Sequence, residues 1–216
     1  MIRRGSMSPV ALGAFILTAF PVGAAGQRPS SAGEIMASAM SNTEGYTVPG
    51  SMTIIELFVH PGEFPPGVRD EVFDGLERLA LDEIGSVGYQ QAVVSLLLDA
   101  GSELSNQPMP GVVDRVKHIY EGTDAGVVRL AIIGGMGSVA DRHAASAFLS
   151  LIAKTRGLEA RHAVGSLQRL GAEGEAALRR LHVEGTVVDP WARYVLAKSA
   201  ERGFRPYREH GENDRN

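Results

Sequence analysis

The residues closest to a recognisable chemistry are Gly135-Met136-Gly137-Ser138-Val139-Ala140, which fit G-x-G-x-x-A. Glycines at that spacing let a backbone reach a pyrophosphate at a helix N-terminus, as in a dinucleotide-binding turn. The preceding VVRLAII is apolar and β-branched like a strand. Glu159 lies about 20 residues further on, where a ribose-binding carboxylate is needed. The second strand is missing, however. AKTRGLE runs into Glu159, where a strand buried on both faces would read as a continuous apolar segment. An NAD(P)-dependent enzyme of Rossmann type using the Gly135–Ala140 turn is therefore the alternative reading.

Two acid–histidine clusters could in principle hold a metal: Asp141-x-His143 and Glu159-x-x-His162. An i, i+3 pair can reach one ion from a helix face. Neither is extended by HExxH, by HxH or by a calcium-loop spacing. The other histidines, His60, His118, His182 and His210, are isolated. GxSxG is absent, and with no cysteine the chain has neither disulfides nor thiolate ligands. These groups read as solvated helix-surface side chains, so no catalytic residue, cofactor or metal is assigned.

The elements that must position any site are helices. From Ser51 the apolar residues recur at helical intervals. Val68, Val72, Leu76, Leu79 and Ala80 share one face, and Tyr89, Ala92, Val93, Leu96, Leu97 and Ala100 make a wider one. Val112, Val113, Val116, Ile119 and Tyr120 line a short helix. Thr123-Asp124 is a candidate cap for GVVRLAIIGGMG, and Asp141 for a helix striped by Ala144, Phe148, Leu151 and Ile152. Ala160, Ala163, Val164, Leu167 and Leu170 follow, closed by Gly171, and then Ala177, Leu178 and Leu181. Asp189-Pro190 pairs a cap with proline at the first helical position of the last helix. Short connections between such helices imply antiparallel neighbours.

A small-apolar/arginine pair also recurs every 32 residues: Val128-Arg129, Ala160-Arg161, Ala192-Arg193. A period in the thirties marks stacked helical repeats. The phrases VVRLAIIGGMGSVAD and EARHAVGSLQRLG resemble HEAT repeats, through Arg129, Ile132, Met136 and Gly137 in the first and Arg161, Ala163, Leu167 and Gly171 in the second. VHPGEFPPGVRDEVFDGLERLA, with Arg69 and Leu76, resembles a junction between repeats. The resemblance covers residues 51–205 and implies an all-α fold, an alpha-alpha superhelix or HEAT-like solenoid of antiparallel helix pairs. Residues 83–122 depart from the period, so an irregular repeat or an inserted helix is expected there.

In such an array the second helix of each pair tends to line the concave side. By resemblance the candidate binding residues are Arg142, Ser150 and Lys154 on one such helix and Arg179, Arg180 and His182 on the next. Arg129, Arg161 and Arg193 are expected to be inter-repeat struts. Trp191, the only tryptophan, is expected to fill the final helix pair, with an interface anchor as its other reading.

Charge is unevenly spread. Residues 27–125 hold 5 Lys/Arg against 15 Asp/Glu, a balance of −10, whereas residues 126–216 hold 14 against 10, a balance of +4. Such a field can steer a partner or favour head-to-tail contact between copies. It lacks the strongly basic face that nucleic acid requires. At the N-terminus, Arg3-Arg4, the apolar run PVALGAFILTAF and the small residues PVGAAGQ follow the order of a secretory signal. Residues 1–25 are read as that signal, removed by the general secretory or twin-arginine route. Residues 26–50 are read as a flexible leader with a short helical turn, and 206–216 as a polar tail. The expected protein is periplasmic or secreted, has no stable membrane anchor after cleavage, and acts as a non-catalytic scaffold for another protein.

Overall fold

A computed structural model describes residues 31–204 other than Leu104. Ten α-helices follow one another among the described residues: α1 (Ala32–Ala39), α2 (Ser51–Val59), α3 (Val68–Leu81), α4 (Val87–Ala100), α5 (Val112–Gly122), α6 (Gly126–Gly135), α7 (Arg142–Ala153), α8 (Leu158–Leu167), α9 (Gly171–Glu184) and α10 (Pro190–Glu201). No strand occurs among them; the sole extended pairing is a single bridge between Ser102 and Val139.

That result removes the strand from the dinucleotide alternative. VVRLAII lies inside α6, and Met136–Ser138 continue it as a 3-10 turn. Val128, Ile132, Ile133 and Met136 are all buried. Their spacing places them on one helical face, and burying that face outweighs the weak β preference of valine and isoleucine. The glycines serve close packing. A methyl group on Gly135 would run into Cδ1 of Leu98 on α4, and one on Gly137 into the guanidinium of Arg169.

The helices form two rows. In one, α1, α3, α5, α7 and α9 each pack on the next; in the other, α2, α4, α6, α8 and α10 do the same, and the rows pack against each other. Helix starts repeat every 32 residues from Gly126 to Leu158 to Pro190. Residues 83–122 hold no inserted helix, because α4 and α5 take their turns in the two rows. Their extra length lies in the loop after Ala100. That loop is fastened to the turn after α6 by Ala140 N–H donating to Gly101 O at 2.8 Å and Glu103 N–H to Ser138 O at 3.3 Å.

The segment expected to be a leader belongs to the packed body from Ser31 onward. Ser31 caps α1 by accepting from Glu34 N–H at 3.3 Å, and Ile35, Ala39 and Val48 are buried. Tyr89 of α4 donates its hydroxyl to Ala39 O at 2.9 Å, and the Ser86 hydroxyl donates to Gly45 O at 2.8 Å. The apolar residues here are few, but they fall on one helical face and meet α3, where Met36 lies over Gly75. The proposed signal and the polar tail lie outside the described residues.

Two expected caps form: Asp141 accepts from Ala144 N–H at 3.0 Å, and Asp189 from Trp191 and Ala192 N–H at 3.0 and 2.9 Å. Three local expectations change. α6 has no side-chain cap, and Thr123 instead accepts from Ala125 N–H at 3.1 Å. Gly171 opens α9, with φ of 60°, and does not close α8. Leu151 is 63% exposed, because the buried face of α7 is carried by Ala145, Phe148, Leu149 and Ile152.

Candidate functional site

The arginines of the 32-residue repeat have three different fates. Arg129 on α6 pairs with Glu159 on α8, Nε to Oε1 at 3.0 Å, and its Nη2 donates to the Tyr120 hydroxyl at 2.9 Å. Tyr120 in turn donates to Glu159 Oε2 at 2.5 Å. The guanidinium lies over the Tyr120 ring at 4.2 Å, and that ring meets Phe148 edge-on at 5.2 Å. One cluster therefore ties α5, α6, α7 and α8. The Tyr120 hydroxyl raises the Arg129 pKa by accepting from it; burial, followed by the bond to Glu159, raises that of Tyr120. Glu159, the carboxylate that a ribose would have needed, is committed here.

Arg161 on α8 pairs with Asp189, the cap of α10, at 3.2 Å. Asp189 also accepts from Gly157 N–H at 3.1 Å, so it joins the starts of α8 and α10. The Ala192 N–H above all, then Arg161 and the Gly157 N–H, hold its carboxyl down at about 2. Arg193 differs. It is exposed on α10, and its side chain makes no ion pair or hydrogen bond among the described residues. Ala192 beside it is buried, as are Val128 and Ala160 at the equivalent positions. Arg129 and Arg161 thus each reach the start of the next helix in their row, and Arg193 makes no such contact among the described residues.

Other contacts span close to one period. Lys154 meets Glu184 at 3.2 Å, 30 residues on, and Gln168 donates to Ser199, 31 residues on. His143 faces Glu173 at 3.6 Å. Earlier in the chain Arg115 of α5 joins Asp74 and Glu77 of α3 and lies over the Phe73 ring at 5.0 Å.

The expected binding residues fall on neighbouring helices of one row, but most of their polar groups are engaged within the chain. Arg142 donates to both oxygens of Glu103 at 2.5 and 2.6 Å, which holds the Glu103 carboxyl below its ordinary range. Ser150 donates to Ser146 O at 2.6 Å, and Lys154 is the partner of Glu184. Arg179 binds Glu175 at 2.7 Å and Gly203 O at 3.1 Å, and it lies over the Phe204 ring that His182 meets edge-on. Arg180 alone of the six is exposed with no such partner among the described residues.

A second surface was not legible from the spacing. Between α8 and α10 runs a groove of about 390 Å³, lined by Leu158, Arg161, His162, Gly165, Arg169 and Trp191. Trp191 does not fill the last helix pair. It is 54% exposed and stacks on Tyr194 at 5.3 Å. Arg169 donates to Gly134 O and, at 3.0 Å, to the Ser166 hydroxyl. Its one sequence signal was the out-of-face basic residue in SLQRLG.

The acid–histidine clusters do not converge. Asp141 is spent as a helix cap and Glu159 on Arg129, while His143 and His162 point to solvent. Among the described residues no group of three His, Asp or Glu side chains is placed to hold a metal ion, and no helix is long and apolar enough to cross a membrane. No protein-family model, curated protein or solved structure matches this chain.

Proposed function

We propose that this chain is an exported, HEAT-like repeat scaffold that binds another protein and performs no catalysis. The observation that carries the reading is the set of side-chain contacts spanning one period. Arg129–Glu159 and Lys154–Glu184 are each 30 residues apart, and Arg161–Asp189 is 28. Each joins a helix to the next one in its own row. In repeat arrays a unit contacts only its neighbours, and the array offers an extended surface in place of a single pocket. The two rows and the 32-residue recurrence of helix starts support the superhelical arrangement. Export rests on the basic, apolar and small-residue order of residues 1–25.

The test uses the full chain in its native envelope. A photo-crosslinking residue is placed at Arg180 on one row and, separately, at Leu158 on the other. A discrete adduct with one envelope protein, from either position, supports the scaffold role. Absence of any adduct from both rows, or saturable binding of a small metabolite by the pure protein, argues against it. A fusion of residues 1–25 to a reporter active only outside the cytoplasm tests export. An inactive reporter retained with its leader uncut would refute that part.

A further inference from the structure

The outer side of α6, α8 and α10 carries a pattern that neither the core nor the struts use. Val127, Leu158 and Trp191 stand in the first turns of these three successive helices, 50%, 54% and 54% exposed. Tyr194 extends the apolar line on α10. Gly165 lies on the floor of the α8–α10 groove, and Gly134 occupies a comparable place on α6. A methyl group on either would meet nothing within 4 Å. Bare backbone there leaves room for a second polypeptide to come close.

The acids of α8 and of α10 with its cap are paired: Glu159 with Arg129 and Tyr120, Asp189, whose side chain is only 4% exposed, with Arg161 and three backbone N–H groups, and Glu201 with Lys198 at 2.7 Å. Arg169 binds a carbonyl and a hydroxyl but no carboxylate among the described residues, and Arg193 binds neither. The His162 imidazole is exposed in the groove that Arg169 also lines.

We propose that this face docks an acidic peptide segment of a partner protein. An apolar side chain of the peptide seats between Leu158 and Trp191, and its carboxylates meet Arg169 and His162. The apolar line is what selects a peptide over a bare polyanion, which would find no use for it. Arginine beside a half-exposed tryptophan is also the composition of binding hot spots. The inference rests on the scaffold reading and adds to it a face and a partner chemistry.

Because Trp191 is the only tryptophan, its emission reports on this groove directly. The full mature chain is titrated with a short synthetic peptide of alternating glutamate and leucine, with its lysine-for-glutamate counterpart, and with dextran sulfate. The expected result is a saturable shift of Trp191 emission with the glutamate peptide alone, weakened by added salt. Arg169→Ala should weaken it about tenfold, the loss expected for one charge-assisted hydrogen bond. Leu158→Ser, at an exposed position, should weaken it while leaving the thermal melt unchanged. That second variant keeps the test decisive if Arg169→Ala unfolds the chain.

Four outcomes overturn the inference. They are no saturable shift, an equal response to the lysine peptide, tighter binding of dextran sulfate than of the peptide, and a shift that depends only on the protein's own concentration. The last would indicate a second copy on this face. Crosslinks through Arg180 with a silent Trp191 would sink this inference and leave the scaffold reading standing. A responsive Trp191 without any cellular adduct would do the reverse.

Discussion

Replacing Arg129 by alanine should cost far more than the same change at Arg193, although both sit at the same place in the 32-residue repeat. The Arg129 guanidinium pairs with a Glu159 side chain that is 26% exposed, and it donates to Tyr120 while lying over its ring. A hydrogen bond to a charged group contributes about 1.5–3 kcal/mol when buried. Partial exposure places this one near the lower end, and the ring contact adds about 0.5–1 kcal/mol. The expected loss is about 2–3 kcal/mol, or a fall in Tm of about 5–10 °C for a chain of this size. Arg193→Ala, which breaks no ion pair or side-chain hydrogen bond among the described residues, should change stability by less than about 0.5 kcal/mol. Arg161→Ala should fall between them, since Asp189 keeps its three backbone donors. Thermal and urea melts followed by circular dichroism measure all three. A cycle with Glu159→Gln isolates the pairwise part. A melt of Arg129→Ala indistinguishable from the native protein, or one matched by Arg193→Ala, would refute the strut argument.

Glycines inside helices should answer in opposite directions. Gly174 is buried in α9, and a methyl group there would overlap the Leu167 carbonyl oxygen, a backbone atom that cannot swing aside. Overpacking of about 1–3 kcal/mol should exceed the propensity gain of about 1 kcal/mol, so Gly174→Ala lowers Tm. Gly165→Ala faces open space and should raise it; shifts of the same sign would sink the packing account. Acid should also find Asp189. Its folded pKa of about 2 lies below the ordinary 3.8. Its stabilisation is therefore fully present above about pH 4 and is lost as pH falls towards 2. Asp189→Asn should flatten the pH dependence of the urea midpoint in that window, and an unchanged slope would show that the carboxylate is not tied in this way.

Local order in this chain was readable because it is set within a turn or two. Helical spacing of apolar residues, the caps at Asp141 and Asp189-Pro190, and the buried Val128, Ala160 and Ala192 need only neighbours close in sequence. The all-helical class and the 32-residue recurrence followed from the same local regularity. What the tertiary structure decided depends on partners about 30 residues away or more. It settled VVRLAII, whose β-branched residues also suit a strand, as the helix that the spacing predicts, because burying one face against α4 and α8 outweighs β preference. It drew the sparse apolar residues of α1 onto α3, and it absorbed the extra length of residues 83–122 in a loop instead of a helix. It gave identical-looking arginines different fates, since Arg129 and Arg161 each have a carboxylate at the start of the next helix in the row and Arg193 has none among the described residues. It also turned Trp191 outward beside Arg169. A side chain's partner is a property of the stack, and the repeat states only where the next helix begins.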